Sequence, residues 1–456
     1  MQTVINPTTG QHLHEYPALD ADVMQARITA ASTAFRHWRT RSLAERAAVL
    51  NKVAALMREQ ETELARLMTL EMGKPDREAR GEVLKAAGCA EHYAEHAEAY
   101  LATLQLSSDA SRSYVQHLPL GAVLGILPWN APFWLAFRFC APALMAGNTC
   151  LMKHDPHVPA CAEAIAALFV QAGAPEAILQ NLPLATEDIA AAIRHPQVRA
   201  VSFTGSSSAG SKVAALAAEQ IKPAVLELGG SDPAIVLADA DLEQAAELIA
   251  FSRMINAGQS CIAAKRIIVE APVHDRFVEL LHTRLEKLQL GDPADPTTDI
   301  GPIARDDLRN ALARQVDATV AAGAHCRLGG QIPDRPGFFY PVTLLTEVTN
   351  DMPACREETF GPVAVVLKAD SAEHALAIAN DSEYGLAASI WTETARGEAM
   401  ARDIEAGQVV VNGLVKTDAR LPSGGIKRSG YGRELGPHGM LEFVNVQQVW
   451  VGPKQE

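Results

Sequence analysis

The sequence predicts an α/β protein with two doubly wound parallel sheets, and two patterns along the chain support this prediction. From Tyr114 onward, short β-rich segments alternate with helical ones as far as the apolar segment 224–227. After Gly229 and Gly230 a second alternating series begins and continues to about Asn412. Strands that alternate with helices are typical of parallel sheets covered by helices. A chain of 456 residues is also longer than a domain with a single hydrophobic core usually is, which predicts more than one domain.

The segments outside these two series have patterns of their own. Residues from about Asp20 to Leu104 carry alanine-rich apolar positions three and four apart, with charged residues between them. This spacing predicts helices that serve packing rather than chemistry. The segments 111–118 and 443–451 have the composition of extended strands and flank the two series.

Composition excludes several classes of function. The formal net charge of -14 and the pI near 5.5 argue against nucleic acid or an anionic membrane as the main partner. The first residues lack the charged start and apolar core of a signal peptide, so we expect a cytoplasmic protein. The seven cysteines form no Cys-x-x-Cys pair, which fits free thiols better than disulfides or a zinc site. We therefore expect no bound metal.

Cys261 is the candidate nucleophile. It follows Gly258, Gln259 and Ser260 at the end of an apolar helical segment, and a buried structural cysteine rarely has such neighbours. The reactive form of cysteine is the thiolate. The assignment therefore predicts backbone NH groups or positive charge that lower the pKa of this thiol.

Two other residues are candidates to assist Cys261. Glu227 ends the apolar segment 224–227, where a carboxylate is unfavourable unless it is paired or functional. Asn130 follows Trp129 in a predicted turn. It is either an ordinary turn asparagine or the amide that donates to the oxyanion formed by thiolate attack.

A strand, a turn and a helix predict an anion site at 198–210. The turn after the strand 198–203 contains Gly205 and Gly210 and opens a helix, an arrangement that presents unpaired NH groups to a phosphate. It does not match the Gly-x-Gly-x-x-Gly fingerprint, so taken alone it is more often structural. Lys153, at the end of another predicted strand, is either a charge that solvates the strand end or part of a ligand site.

The motifs containing Asn130, Glu227 and Cys261, together with the segment Glu357 to Pro362, occur in the order found in aldehyde dehydrogenases. The chain resembles that family over nearly its whole length. The resemblance implies NAD or NADP as cofactor and oxidation of a small-molecule aldehyde to a carboxylic acid. It also implies a Rossmann-type cofactor domain, a second α/β catalytic domain and a β-strand oligomerisation arm. The implied boundaries are 1–110 and 119–228 for the NAD(P)-binding domain, 229–425 for the catalytic domain, and 111–118 with 426–456 for the arm.

The resemblance assigns roles residue by residue. Cys261 matches the thiol that forms a thiohemiacetal and then a thioester, Asn130 matches the oxyanion-hole amide, and Glu227 matches the base that activates water. The CoA-acylating branch of the family generally lacks this glutamate. The implied cofactor-binding residues are Trp129, Lys153, Phe203, Thr204, Gly205, Ser206, Gly210, Glu358 and Phe360.

Two departures from the family pattern concern specificity. The position three residues after Lys153 is Pro156, where the family usually has a glutamate that bonds the ribose 2'-hydroxyl. We therefore expect NADP to be tolerated alongside NAD. A second substrate arginine used by some members is replaced by Ile255, and Arg420 or Arg253 is expected to substitute for it.

Arg138 indicates the substrate. It lies in an aromatic helical segment eight residues after Asn130, where succinate-semialdehyde dehydrogenases carry an arginine. In such apolar surroundings a guanidinium is expected to meet an anion, either a substrate carboxylate or a carboxylate of the protein. The chain thus resembles short bacterial succinate-semialdehyde dehydrogenases. Glutarate semialdehyde and uncharged aliphatic aldehydes are alternative substrates, and the implied arm predicts a homodimer or homotetramer.

Three hypotheses of other functional classes explain the sequence less well. His92, Glu95 and His96 fit a zinc-protease pattern, but no third ligand is apparent. A thiol hydrolase using Cys261 and a histidine base would leave the nucleotide turn unexplained. A non-catalytic NAD-binding relative would not need Cys261, Asn130 and Glu227 together.

Overall fold

The computed structural model describes residues 2–452 and confirms the predicted α/β fold. Its strands are β1 (Gln2–Ile5), β2 (His12–Tyr16), β3 (Leu104–Gln105), β4 (Arg112–Pro119), β5 (Ala122–Leu127), β6 (Thr149–His154), β7 (Leu179–Asn181), β8 (Val198–Thr204), β9 (Ala224–Glu227), β10 (Pro233–Val236), β11 (Arg266–Glu270), β12 (His325–Leu328), β13 (Thr343–Thr346), β14 (Val363–Ala369), β15 (Tyr384–Gly385), β16 (Ala387–Trp391), β17 (Gln408–Val411), β18 (Ile426–Lys427), β19 (Gly430–Tyr431) and β20 (Val444–Val451).

The helices include the packed N-terminal group that the alanine-rich spacing predicts. In chain order they are α1 (Ala21–Trp38), α2 (Leu43–Glu59), α3 (Glu61–Met72), α4 (Asp76–Tyr100), α5 (Pro132–Met145), α6 (Pro159–Gln171), α7 (Ile189–Arg194), α8 (Ser207–Glu219), α9 (Leu242–Met254), α10 (His274–Leu285), α11 (Asp306–Ala321), α12 (Pro353–Arg356), α13 (Ala372–Asn380), α14 (Thr394–Met400) and α15 (Gly436–Leu441). Short 3-10 turns lie at Thr186–Asp188, Ile255–Gly258 and Ala271–Val273.

The first large sheet has the order β19-β9-β8-β5-β6-β7, and its neighbouring strands are parallel except for the β19–β9 pair. The chain runs from β5 outward to β7 and then returns to β8 on the other side of β5. Ligands bind outside the carboxyl ends of an open sheet at such a reversal. The predicted site residues at or just beyond these ends are Asn130, Lys153, Thr204 and Glu227.

Strand β5 illustrates why these residues form this sheet. Each of its six residues is buried, and the near-continuous apolar sequence is typical of a parallel strand covered on both faces. Helix α5 begins with Pro132 at its first turn, where the missing NH is harmless, and the whole helix is buried. Trp134 and Arg138 are therefore held on a rigid element beside the sheet.

The second large sheet has the order β12-β13-β14-β11-β10-β16-β17, with β12 as an antiparallel edge strand. Helix α9 follows β10, and the chain then passes through a 3-10 turn and Cys261 before it enters β11. The nucleophile candidate thus lies on a short connection between two buried elements. The functional division of the chain into domains stays a prediction.

A third sheet joins β20, β4 and β3. Strand β4 pairs antiparallel with β20 over their full lengths, from Arg112 opposite Val451 to Pro119 opposite Val444. The two predicted extended segments therefore pair with each other. Of the predicted arm segment 426–456, β18 pairs with β15 and β19 pairs with β9, while residues 453–456 lie outside the described residues.

Within residues 2–452 every cysteine is a free thiol. No helix in the same range is long and apolar enough to cross a membrane.

Candidate active site

A cavity of about 700 Å³ lies at the carboxyl ends of the first sheet and beside the Cys261 connection. Its lining includes the predicted catalytic residues Cys261, Glu227 and Asn130. The other predicted residues that line it are Trp129, Thr204, Gly205, Ser206, Glu358, Phe360 and Arg138. The predicted residues outside its lining, as far as the described chain goes, are Lys153, Phe203, Gly210 and Arg420.

Cys261 follows a turn with an unusual backbone. Beyond helix α9, Asn256 and Ala257 adopt left-handed conformations with φ of 55° and 52°. Gly258 follows with φ of 71°, and a Cβ there would overlap the carbonyl group of Gly361. Left-handed backbone is unfavourable for residues with side chains and persists where the surroundings impose it. The turn therefore fixes where Cys261 is presented.

Lys265 holds this turn in place. Its buried ammonium group donates to the carbonyl oxygen of Ser260 at 3.0 Å and to that of Cys261. The same ammonium lies 3.2 Å from Glu358 Oε1, which also accepts from the NH of Gly230 at 3.2 Å. The backbone of the nucleophile and the predicted cofactor residue Glu358 thus share one cation.

The thiol of Cys261 is protonated in this environment. Burial raises its pKa to about 11, and the charges of Lys265 and Arg138 offset only part of the rise. The prediction of a lowered thiol pKa is therefore wrong, because the loss of hydration outweighs both cations. Forming the thiolate requires a base.

Glu227 lies in a buried cluster with Arg138 and Glu434. Arg138 Nη2 is 3.2 Å from Glu227 Oε2 and 2.6 Å from Glu434 Oε2. Burial raises the pKa of Glu227, Arg138 lowers it and Glu434 raises it again, so the carboxyl titrates above its usual range. A carboxyl with a raised pKa is suited to accept a proton near neutral pH.

The sequence left open whether Arg138 pairs with a carboxylate of the protein or with one of the substrate. The structure shows that it pairs with two carboxylates of the protein, those of Glu227 and Glu434. Burial lowers the pKa of Arg138, but Glu434 and Glu227 raise it by more, so the guanidinium stays charged. When both carboxyls are ionised they outnumber the single guanidinium. Arg138 borders the cavity with its charge already balanced, and its role in binding a substrate carboxylate stays a prediction.

Asn130 is held by residues that the sequence did not single out. Its side-chain Nδ2 donates to the carbonyl oxygen of Gln259 at 3.1 Å. The main-chain carbonyl oxygen of Asn130 accepts from Lys74 Nζ at 2.8 Å and from Asn256 Nδ2 at 2.9 Å. Lys74 in turn pairs with buried Glu82. An amide group carries two N–H donors, so one remains for an oxyanion.

The turn at the start of α8 and the residues opposite it form the predicted cofactor end of the cavity. Ser206 caps α8 by accepting from the NH of Ala209 at 3.3 Å. The Oγ1 of Thr204 is buried and has no hydrogen-bond partner within the described chain. Trp129 and Phe360 meet edge to face with ring centroids 5.8 Å apart. The turn thus combines a helix N-terminus with an unsatisfied hydroxyl group, next to two aromatic rings.

Glu358 reaches this end because Gly229 has no side chain. A Cβ on Gly229 would overlap the Glu358 carboxylate. Lys153 is buried at the end of β6, where burial lowers its pKa, and Asp155 lies close enough to raise it partly. Lys153 therefore lies at the carboxyl end of β6, as the sequence predicts, although it does not line the cavity.

The opposite end of the cavity contains a cation that the sequence did not indicate. Lys85, on α4, donates to Thr417 Oγ1 at 2.9 Å, and its Nζ lies 4.0 Å from the centre of the Trp134 ring. Lys85, Trp134, Thr417 and the neighbouring Lys416 all line the cavity. Partial desolvation lowers the pKa of Lys85 to about 8, and the charge of Arg138 adds to that effect.

The two arginines expected to replace the missing substrate arginine lie elsewhere. Arg420 is exposed and forms a 2.6 Å ion pair with Asp418. Arg253 is fully buried, and its guanidinium donates to backbone carbonyls that include Val363, at 2.7 Å, and Thr359, at 2.7 Å. Arg253 is therefore a structural residue, and Arg420 does not border the cavity in this structure.

The histidines of the protease-like pattern are bonded to aromatic and backbone groups. His92 Nε2 lies 3.0 Å from Tyr100 Oη, and the His96 ring stacks on His92. In residues 2–452 no group of three or more histidine, cysteine, aspartate or glutamate side chains is arranged to hold a metal ion.

Comparison with known proteins gives a consistent picture. The family model described as the aldehyde dehydrogenase family matches residues 1–449. A probable succinate-semialdehyde dehydrogenase [NADP(+)] of Synechocystis is 48% identical over 448 residues, covering 98% of this chain and 99% of the relative. Succinate-semialdehyde dehydrogenase [NADP(+)] 1 of Mycobacterium tuberculosis is 45% identical over 454 residues, covering 98% and 99%.

Solved structures agree with these relatives. The succinic semialdehyde dehydrogenase of Streptococcus pyogenes in complex with NADP+ superposes with a TM-score of 0.97 at 34% identity, over 99% of this chain and 100% of that one. A structure of Gox0499, described in terms of cofactor and substrate selection, has a TM-score of 0.97 at 38% identity and covers 99% of both chains.

Proposed function

The chain belongs to the aldehyde dehydrogenase family, and from that premise we propose that it oxidises succinate semialdehyde to succinate with NADP or NAD. One observation carries the chemistry. Cys261, Asn130 and Glu227, which are remote in sequence, line a single cavity together with the turn at the start of α8. A nucleophile, an amide donor and a base are the groups that aldehyde oxidation through a thioester requires.

The residues of the cofactor end fit a nicotinamide dinucleotide. The N-terminus of α8 offers backbone NH groups to a pyrophosphate, and the unpartnered Thr204 hydroxyl lies beside it. Glu358 would form hydrogen bonds with ribose hydroxyl groups of the cofactor, while Trp129 and Phe360 would pack beside its nicotinamide ring. When bound, the cofactor accepts a hydride from the aldehyde carbon.

The protein groups supply the other steps. Glu227 removes the thiol proton, and the sulfur of Cys261 then adds to the aldehyde carbon. Asn130 Nδ2 and the backbone NH of Cys261 donate to the oxygen that becomes negatively charged. After oxidation the adduct on Cys261 is a thioester, and Glu227 has by then passed the thiol proton to solvent, so that it is again a base. Glu227 takes a proton from water, which attacks the thioester, releases the acid and restores the thiol.

The substrate assignment rests on the relatives, whose names specify succinate semialdehyde. The test compares initial rates of NADPH and NADH formation with succinate semialdehyde and with butanal, an uncharged aldehyde of the same length. We expect the semialdehyde to be preferred by kcat/KM. Equal rates for both aldehydes would overturn the substrate proposal and leave a general aldehyde dehydrogenase.

Enzyme and non-catalytic binder are separated by Cys261→Ala. We expect turnover to fall at least about a thousandfold while cofactor binding, followed by fluorescence titration, is retained. A wild-type protein that binds NADPH without turnover would instead be a non-catalytic relative.

We propose NADP as the favoured cofactor because Pro156 supplies no carboxylate against a 2'-phosphate and the named relatives use NADP. Pro156→Glu is expected to shift the ratio of kcat/KM values toward NAD. An unchanged ratio would show that other residues set the preference.

We further propose a cytoplasmic homodimer or homotetramer joined through β20. The free thiols support a reducing compartment. Val446 and Trp450 are exposed apolar residues on this edge strand, and an unpaired edge is suited to pairing with another copy. Light scattering after size exclusion measures the mass, and a monomer of full activity would overturn the assembly.

A further inference from the structure

We propose that Lys85, seated on Trp134 and bonded to Thr417, binds the carboxylate of the substrate remote from the aldehyde. This inference rests on the proposed function, because it names the residue that would select a semialdehyde over an uncharged aldehyde. It differs from the sequence-based expectation, which gave this role to Arg138.

The first support is the electrostatic state of each cation that borders the cavity. Lys74 pairs with Glu82, and Arg77 lies 3.1 Å from Asp299. Arg138 lies between two carboxylates. Lys85, by contrast, contacts a hydroxyl group and an indole ring, and no carboxylate of the described chain lies within 4.0 Å of its ammonium group. Glu82 and Asp418 act on its charge only from beyond that distance, so the charge is available to a bound anion. Lys416 also lines the cavity without an ion pair in the described chain, and what distinguishes Lys85 from it is the contact with Thr417 and Trp134.

The second support is that Lys85 is held in position. Its ammonium donates to Thr417, a buried residue, and lies over the face of Trp134 at 4.0 Å. A cation over an indole ring is attracted by the negative face of the ring and loses less water than a cation buried alone. Thr417 accepts through its oxygen, which leaves its own O–H free to donate to the same carboxylate.

The third support is position along the cavity. Trp134 and Arg138 are four residues apart on α5, so they lie on one face, separated by about 6 Å along the axis. Arg138 marks the nucleophile end, because its charge acts on the Cys261 thiol. Lys85 stands over the Trp134 end of the same face. A four-carbon semialdehyde, extended from Cys261, places its carboxylate toward that end.

The experiment compares Lys85→Met with Lys416→Met. Methionine keeps an unbranched side chain over Trp134 as far as the ε-carbon and removes the charge. Lys416 is the matched control, since it lines the same cavity and is exposed. Each variant is assayed as the purified full-length enzyme with NADPH formation from succinate semialdehyde and from butanal.

For Lys85→Met we expect kcat/KM for succinate semialdehyde to fall about 10- to 100-fold, mainly through KM, as for loss of a charge-assisted hydrogen bond. The value for butanal should stay within about twofold, which also establishes that the variant is folded. Lys85→Arg should retain most of the semialdehyde activity. Lys416→Met should leave both substrates nearly unchanged.

Two results would overturn the inference. One is a Lys85→Met enzyme that keeps the wild-type preference for the semialdehyde. The other is an equal loss with both aldehydes, which would make Lys85 structural. A wild-type enzyme without any preference for the semialdehyde would contradict the proposed substrate itself and is recognised before any variant is made.

Discussion

The two ends of the cavity wall formed by α5 carry cations in opposite surroundings. At the nucleophile end, Arg138 is buried between Glu227 and Glu434, and its charge is balanced by the protein. At the Trp134 end, Lys85 contacts neutral groups. A cation that is paired with carboxylates lowers the pKa of those carboxyl groups. A cation that has no carboxylate in contact with it is able to bind the carboxylate of a substrate. We infer that Arg138 serves the base and Lys85 serves the substrate.

Among the variants that test this comparison, removal of Arg138 is expected to change kcat/KM most. In Arg138→Met, Glu227 loses its cation, so its raised pKa rises further and less of the base is ionised at neutral pH. We expect kcat/KM to fall about a hundredfold or more at pH 7 with both succinate semialdehyde and butanal, with partial recovery as pH increases. The pH dependence of kcat/KM for both aldehydes measures this.

The control for Arg138→Met is Lys85→Met, which removes a cation from the other end. If Arg138→Met lowers activity with the semialdehyde and leaves butanal oxidation intact, Arg138 binds the substrate carboxylate and the inferred division between the two ends is wrong.

A third cation, Lys265, sharpens the comparison because it is buried and paired like Arg138 but lies beneath the nucleophile. Its charge lowers the pKa of the Cys261 thiol against the larger effect of burial. In Lys265→Met the thiol pKa should therefore rise above its value of about 11. We expect alkylation of Cys261 by iodoacetamide at pH 8 to slow about tenfold, which is the effect of one pKa unit.

Alkylation rates measured from pH 7 to 10 test this in the wild type as well, since the rate should still be rising at the top of that range. A rate that levels off near pH 7 would mean that the resting thiol is already ionised. Lys85→Met is again the control, and its alkylation rate should equal that of the wild type.

The sequence identified candidate reacting groups that line one cavity, but it did not identify their surroundings. Cys261, Asn130 and Glu227 belong to short motifs that are visible in the sequence. The carboxyl ends of parallel strands meet at one edge of the sheet, whatever the details of side-chain packing are. The thiol pKa was predicted in the wrong direction, because the depth of burial depends on how the whole chain packs. Local charges near Cys261 in the sequence do not reveal that depth.

The partners of these groups were missed for a related reason. Lys85 and Lys74 lie in or just before a helical segment whose alanine-rich pattern indicates packing, and nothing near them in sequence indicates Trp134 or Asn130 as neighbours. Glu434 lies in a glycine-rich segment near the C-terminus, far in sequence from both Arg138 and Glu227. Pairing of charges across such separations is decided by the tertiary fold.

Arg138 has two carboxylates in contact with it and Lys85 has none, so removing one of the two reduces this difference between the ends of the cavity. Glu434 raises the pKa of Glu227, so in Glu434→Gln that pKa should fall. The base is then ionised at lower pH, and we expect the acid limb of the kcat/KM profile to move to lower pH by about one unit or less. An acid limb that moves to higher pH would show that Glu434 stabilises the ionised base by another route.

The smallest effect is expected at Arg420, which lies outside the cavity lining and contrasts with both inner cations. Its guanidinium is exposed and pairs with Asp418, whose pKa it lowers. An exposed ion pair contributes little to stability, and in Arg420→Ala the pKa of Asp418 should return toward its ordinary value. We expect kcat/KM for both aldehydes to stay within about twofold of wild type. A raised KM for succinate semialdehyde alone would mean that Arg420 contacts the substrate, and the carboxylate would then be bound by a residue outside the cavity lining.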